Sequence, residues 1–291
     1  MSKIGLIGVG RMGHGIAANL LKAGWPLLFL DHPGNQPTED LIAAGAESAT
    51  AISGLTGECD VIILVVTGAP QVEAVLAGSG GVLETLRPGT LVIDCSTSLP
   101  GTTRAMAKRV EEAGGSFLDA PMTRTPKEAA EGRLNLIVGG DKTVLDAHRP
   151  MLESFAENIV HAGPTGSGHA LKLLHNFVSL GFSAVLIEAA IAARASGVEA
   201  DIFCDVLAQG GGRGAALDRL APYFTDGDPS GLNFTISNAA KDLGYYVEMT
   251  HALGLSGNAA ESLRDVYRVQ DEAGQGARLV PELVALLAEV R

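Results

Sequence analysis

The 291-residue chain is 46% hydrophobic and 19% charged, with a net charge of −12. That composition excludes a disordered chain and is enough for two domains of ordinary size. The acidic balance argues against nucleic acid or an anionic membrane as a partner, since both demand clustered Lys and Arg.

Three widely spaced cysteines, Cys59, Cys95 and Cys204, include no CxxC pair. A reducing compartment without disulfides or structural zinc is therefore expected. The apolar start from Ile4 to Gly10 is cut by Arg11 and carries no cleavage signature, and no run is read as a membrane span. A soluble cytoplasmic protein is the expectation.

The segment KIGLIGVG (3–10) is a short apolar run ending in glycine, and a helix is predicted from Met12 to Ala23. PLLFLD (26–31), DVIILVV (60–66), TLVIDCS (90–96), SFLDAP (116–121) and NLIVGG (135–140) follow, with helix-compatible segments between them. Continuous apolar strands of this kind are buried on both faces, as in a parallel sheet flanked by helices. The prediction is an α/β fold, with a doubly wound Rossmann domain over 1–163 and an all-helical domain over 164–291. In the second part a long apolar helix runs from about Ala170 to Ala195. Its ionisable or amide side chains are Lys172, His175, Asn176, Glu188 and Arg194.

Gly8-Val9-Gly10-Arg11-Met12-Gly13 fits G-x-G-x-x-G between a strand and a helix. The first glycine permits a tight turn, the second lets backbone approach a pyrophosphate, and the third allows close packing of helix on strand. Arg11 and Met12 would flank the anion at the helix N-terminus. Asp31 closes the second strand, where an acid meets adenosine ribose hydroxyls and repels a 2′-phosphate, favouring NAD over NADP. His32 could partly offset that acid if protonated, and Asp31 could instead simply cap a turn with Pro33-Gly34. Lys172 and Asn176 stand four residues apart on one helix face, and His169 shares that face with Lys172. A lysine there can exchange a proton with a reacting oxygen while the amide holds the substrate. The alternative is a lysine snorkelling from a buried helix or paired with a carboxylate.

GLIGVGRMGHGIAANLLKAG (5–24), DCSTSLP (94–100), GPTGSGHALKLLHN (163–176) and FTISNAAKDLG (234–244) resemble, in order, the signature segments of the β-hydroxyacid dehydrogenases. That family is typified by 3-hydroxyisobutyrate dehydrogenase. The resemblance implies an NAD(P)-dependent enzyme interconverting a 3-hydroxy acid and its semialdehyde in a cleft between the two domains. It further implies Lys172 as catalytic lysine, Asn176 as substrate-orienting amide, Ser96 as a carboxylate contact and Thr97 beside the nicotinamide. Val66 and Thr67 would flank the dinucleotide, Lys241 would close over its side of the cleft, and Asp242 would position the helix. His169 and His175 stand where the family usually has glutamine and asparagine.

The segment after DAP departs from the family. A small VSGG-type stretch, whose amides and serine cradle the substrate carboxylate, is here Met122-Thr123-Arg124-Thr125. Thr123 keeps a hydroxyl, and Arg124 offers a fork of donors to an acid group, unless an acid such as Glu128 takes it. The Arg-Thr pair resembles the sulfolactaldehyde reductase branch. Succinic semialdehyde, or a 3-hydroxy amino acid of the phenylserine or threonine type, would also suit. An imine reductase relative and a non-catalytic cofactor-binding scaffold are the remaining readings, and Lys172 argues against both. A homodimer or homotetramer is expected from the long apolar helix.

Overall fold

The structure is a computed structural model that describes residues 1–288. Its contacts divide the chain into two units, Met1–Lys172 and Leu173–Arg291. The division falls inside the long helix, Ser167–Ala195. The first turns of that helix belong to the first unit because Asp119 there accepts the amides of Gly166 (2.8 Å) and His169 (2.9 Å).

In the first unit the strands are β1 (Ile4–Ile7), β2 (Leu27–Leu30), β3 (Glu47–Ala49), β4 (Val61–Leu64) and β5 (Leu91–Asp94). These are followed by β6 (Ser116–Asp119), β7 (Met122–Thr123), β8 (Leu134–Gly140) and β9 (Ala156–Gly163). The order β3-β2-β1-β4-β5-β6 is parallel throughout. β6 and β7 then pair antiparallel with β8, and β9 lies parallel beside β8. The sheet is therefore mixed, with an antiparallel turn-back that the apolar runs alone do not reveal. The strand order reverses between β1 and β4, which is where open α/β sheets bind their ligands.

The predicted apolar runs are the core. Ile4, Leu6, Ile62, Ile63, Leu64, Val92 and Ile93 are essentially inaccessible. Each fully buried side chain of this size is worth about 1.5–3 kcal/mol. The helix Pro126–Ala130, which leaves the Thr123–Thr125 loop, docks on the helix Gly13–Lys22 through Asn19. The amide of Asn19 donates to the carbonyls of Gly15, Ala129 and Ala130 (2.8–3.1 Å). The substrate-loop candidate and the glycine-loop helix are thus tied together by one buried side chain.

The second unit is helical among the described residues, apart from a single bridge between Thr235 and Leu279. Leu180, Leu186 and Ile187 of the long helix pack with Leu217, Leu220, Ile236, Leu243 and Tyr267. The Tyr267 hydroxyl donates to Leu180 O (2.6 Å). By length and composition alone the long helix could cross a membrane, where the sequence reading found no run long and apolar enough. Its buried residues nevertheless form protein core, and its polar residues include the candidate site, as in a core helix.

Candidate active site

The carboxyl ends of β2, β1, β4 and β5, neighbours in the sheet, carry in that order Asp31, Gly8–Gly13, Val66–Thr67 and Ser96–Thr97. β6 follows beside β5 and leads to Thr123. One sheet edge therefore gathers candidates scattered over more than a hundred residues of sequence.

The glycine loop fits a dinucleotide. Gly8 has φ +102, and a Cβ there would lie 2.2 Å from Val65 O. A Cβ on Gly13 would lie 2.0 Å from Gly8 O. Around Gly10, by contrast, a Cβ would meet nothing within 4 Å, so this is the glycine left open for a ligand. No side chain caps the helix that begins at Gly13, and no acid occupies its first turn. That leaves its positive end suited to a phosphate. Arg11 is exposed and Met12 packs partly against the core.

Asp31 is exposed just beyond β2. His32 Nδ1 accepts the Gly34 amide (3.0 Å), which ties the ring to the turn after Asp31. Asn35 is a residue the sequence reasoning missed. Its Oδ1 accepts Val9 N (3.2 Å), its Nδ2 donates to Leu30 O (2.9 Å), and Gln36 N donates to Val9 O (2.8 Å). The ribose loop is thereby fastened to the pyrophosphate turn. An asparagine after Pro-Gly is a turn signal, but its reach of 26 residues to Val9 is not visible in sequence.

Ser96 is buried, and its hydroxyl accepts Val66 N (3.0 Å). Asp94 Oδ1 accepts Ser96 N (2.9 Å). Burial pushes the Asp94 carboxyl above its usual range, opposed by the neighbouring His169 and by hydrogen bonds from Ser96. Thr97 is half-buried next to it, and Thr67 is exposed. Burial likewise raises the thiol of Cys95, and it pushes Cys59 up to about 11, so neither is a thiolate near neutral pH.

Thr123 Oγ1 accepts Asn135 Nδ2 (3.1 Å). Arg124 has φ +82, the left-handed region where a glycine fits and an L-residue costs about 1–2 kcal/mol. The backbone there adopts a conformation suited to glycine, and the side chain is drawn into an ion pair. Its guanidinium holds the Glu157 carboxylate and Arg133 O. The partner is not Glu128, which instead closes a capping box with Thr125.

Lys172 is buried on the long helix, 9% exposed. Asn176, one turn on, is also buried, and its Nδ2 donates to Asp242 Oδ2 (2.6 Å) while Oδ1 faces His175 Nδ1 (3.0 Å). Asp242 Oδ1 makes no hydrogen bond but lies 3.2 Å from Lys241 Nζ, and that ammonium stands 5.7 Å above the Tyr245 ring. Asp242 therefore orients the Asn176 amide as well as pairing with Lys241. Among the described residues no group of three or more His, Cys, Asp or Glu could hold a metal ion.

Residues 3–163 match the family described as the NAD-binding domain of 6-phosphogluconate dehydrogenase. Residues 166–287 match the NAD-binding domain of NADP-dependent 3-hydroxyisobutyrate dehydrogenase. The chain is 32% identical to the NAD-dependent L-serine dehydrogenase of Pseudomonas aeruginosa, covering 96% of this chain and 95% of that one. It is 30% identical to the 3-sulfolactaldehyde reductase of Escherichia coli, over 100% and 96% of the two chains. The solved 3-hydroxyisobutyrate dehydrogenase of Mycobacterium tuberculosis with L-serine superposes with a TM-score of 0.88 at 27% identity, over 99% of both chains. With the glycine loop, the DCST segment and the lysine helix all in place, the chain belongs to the β-hydroxyacid dehydrogenases and is an NAD(P)-dependent oxidoreductase acting on a hydroxyl group.

Proposed function

We propose that the chain reversibly oxidises a small 3-hydroxy acid, of serine or hydroxyisobutyrate size, to its semialdehyde. The observation that carries this is the arrangement of one sheet edge. It bears a dinucleotide loop, the Ser96–Thr97 segment and the start of the helix that presents Lys172.

Bound NAD(P) supplies or accepts the hydride. Lys172 gives a proton to the carbonyl oxygen during reduction and takes it back during oxidation. An amide NH2 carries two protons. Asp242 holds one Asn176 proton, and we assign the other to the substrate. The substrate carboxylate rests on the Thr97 and Thr123 hydroxyls and on the main chain around Arg124, whose left-handed turn preserves the glycine-like path. Asp31, at the end of β2, favours NAD over NADP.

A sulfonate substrate is the second reading, supported by the Arg124-Thr125 pair and by the similarity to 3-sulfolactaldehyde reductase. It requires Arg124 to leave Glu157. The helix face bearing exposed Leu174, Val178 and Val185 is proposed to be covered by a second copy of the chain. Localisation is proposed to be cytoplasmic.

The test is turnover of NAD and NADP with L-serine, 3-hydroxyisobutyrate, succinic semialdehyde and sulfolactaldehyde. Lys172→Ala is expected to lower kcat on the order of 100-fold or more with cofactor affinity unchanged. Full turnover by that variant would end the proton-transfer assignment.

A further inference from the structure

β6 ends in Asp119, whose side chain is fully buried. Its Oδ1 accepts Gly166 N (2.8 Å) and its Oδ2 accepts His169 N (2.9 Å). Both donors are main-chain amides, so the backbone itself fixes the direction of each bond. Gly166 directly precedes the helix Ser167–Ala195, and His169 is its third residue. These are the two amides that a capping box satisfies with two local side chains. Gly166 has no side chain to offer, and Asp119 serves both amides at once. Asp141 and Thr235 cap their helices from two or three residues away, whereas Asp119 reaches across 47 and 50 residues. A local cap fixes a helix to its own turn. This one fixes a helix to the sheet.

The fit is close. A Cβ on Gly139, in β8, would lie 2.5 Å from Asp119 Oδ1, and a Cβ on Gly168, in the first turn of the helix, would lie 2.8 Å from Oδ2. The same Gly168 Cβ would lie 2.4 Å from Ile137 O. Two glycines on facing segments thus form a slot that the carboxyl group fills. Asp119 is also the register partner of Asp94 on β5, whose Oδ1 accepts Ser96 N (2.9 Å). The lysine helix and the Ser96–Thr97 segment are therefore tied to neighbouring strands at one level of the sheet. Lys172 follows His169 by three residues, about 4.5 Å along the helix axis. A slide or rotation at the helix start reaches it undamped.

We propose that Asp119 is a positioning residue: from its glycine slot at the end of β6 it sets where the lysine helix begins, and so where the Lys172 ammonium meets the substrate oxygen. An asparagine in its place keeps the shape but turns an NH2 group towards one of the two amides, and donor then faces donor. The catalytic consequence rests on the reading of Lys172 as the proton-transfer group, whereas the anchoring of the helix does not.

The experiment compares Asp119→Asn with the wild type as whole chains. Amide hydrogen exchange over 166–172 should quicken roughly 10- to 150-fold, with the strands of the sheet unaffected. Unchanged exchange would overturn the anchoring. With rates expressed per NADH-binding site, kcat should fall roughly 10- to 100-fold through misplacement, with substrate KM and cofactor Kd unchanged. The solvent deuterium isotope effect on kcat should rise, because proton transfer becomes the slow step. A residue that only stabilises the fold would lower Tm and leave kcat and the isotope effect as they are, and that result would refute the positioning role. Should Asp119→Asn fail to fold, Gly168→Ala displaces the helix start with Asp119 retained, and a wild-type kcat there would refute the role equally. The wild-type amides of Gly166 and His169 need no variant, and exchange as fast as in exposed loops would overturn the anchoring. Wild-type protein inactive on every substrate would remove the catalytic consequence together with the reading of Lys172, and exchange would still decide the anchoring.

Discussion

Gly10→Ala separates cofactor binding from folding. A Cβ at Gly10 meets no atom within 4 Å in the free protein, and Gly10 is not among the glycines with positive φ. Such a glycine-to-alanine change leaves stability unchanged or raises it by about 0.4–1 kcal/mol, by restricting the unfolded chain. The added methyl occupies the space where the pyrophosphate approaches, and overpacking of that kind costs about 1–3 kcal/mol. NADH affinity should fall roughly 5- to 150-fold. Gly13→Ala is the contrasting variant, because its Cβ would lie 2.0 Å from Gly8 O. A collision with backbone cannot be relieved by a rotamer change, so a loss of about 3 kcal/mol or more is expected. For a unit of this size that is on the order of 10 °C in Tm. Circular dichroism melting and NADH fluorescence titration read the two quantities separately. Gly10→Ala binding NADH as the wild type does, or melting like Gly13→Ala, would refute the placement of the pyrophosphate.

Asp242→Asn keeps the shape but removes the charge that orients Asn176. A hydrogen bond to a charged acceptor exceeds a neutral one by about 1 kcal/mol, so kcat/KM should fall about fivefold without a change in cofactor Kd. Arg124→Gly relieves about 1–2 kcal/mol of left-handed strain and forfeits a half-exposed ion pair worth about 0–1 kcal/mol. The extra freedom glycine gives the unfolded chain offsets part of that relief, so Tm should move little. Carboxylate substrates should keep their kcat/KM in this variant, and their loss would show that the arginine fork itself binds the anion. Val178→Glu places a charge on a residue 68% exposed in the single chain. Light scattering should show a smaller assembly, and an unchanged mass would dismiss this helix face as the interface.

The central strands were legible because burial on both faces writes continuous apolar runs. The strands at the margins were not. β3 is three residues long and mostly exposed, β7 has two residues, and β9 is an edge strand with polar residues facing out. The start of the long helix is not legible locally, because its amides are held by Asp119, 47 residues away from Gly166. The motifs located Gly8, Gly10, Gly13, Lys172 and Asn176 by type and spacing. What holds them, Asn35 on Val9, Asp119 on the helix start and Glu157 on Arg124, depends on contacts between distant segments. No local pattern encodes those.

The Asn35 fastening separates two tasks in the nucleotide loop. The residues that would discriminate at the ribose, Asp31 and His32, sit on an exposed rim. The residues that hold the rim in place are Asn35 and Gln36, through Val9. Exchanges at the rim leave its anchorage intact, so coenzyme preference can drift over evolution, or be redirected by design, without the fold having to be rebuilt around it.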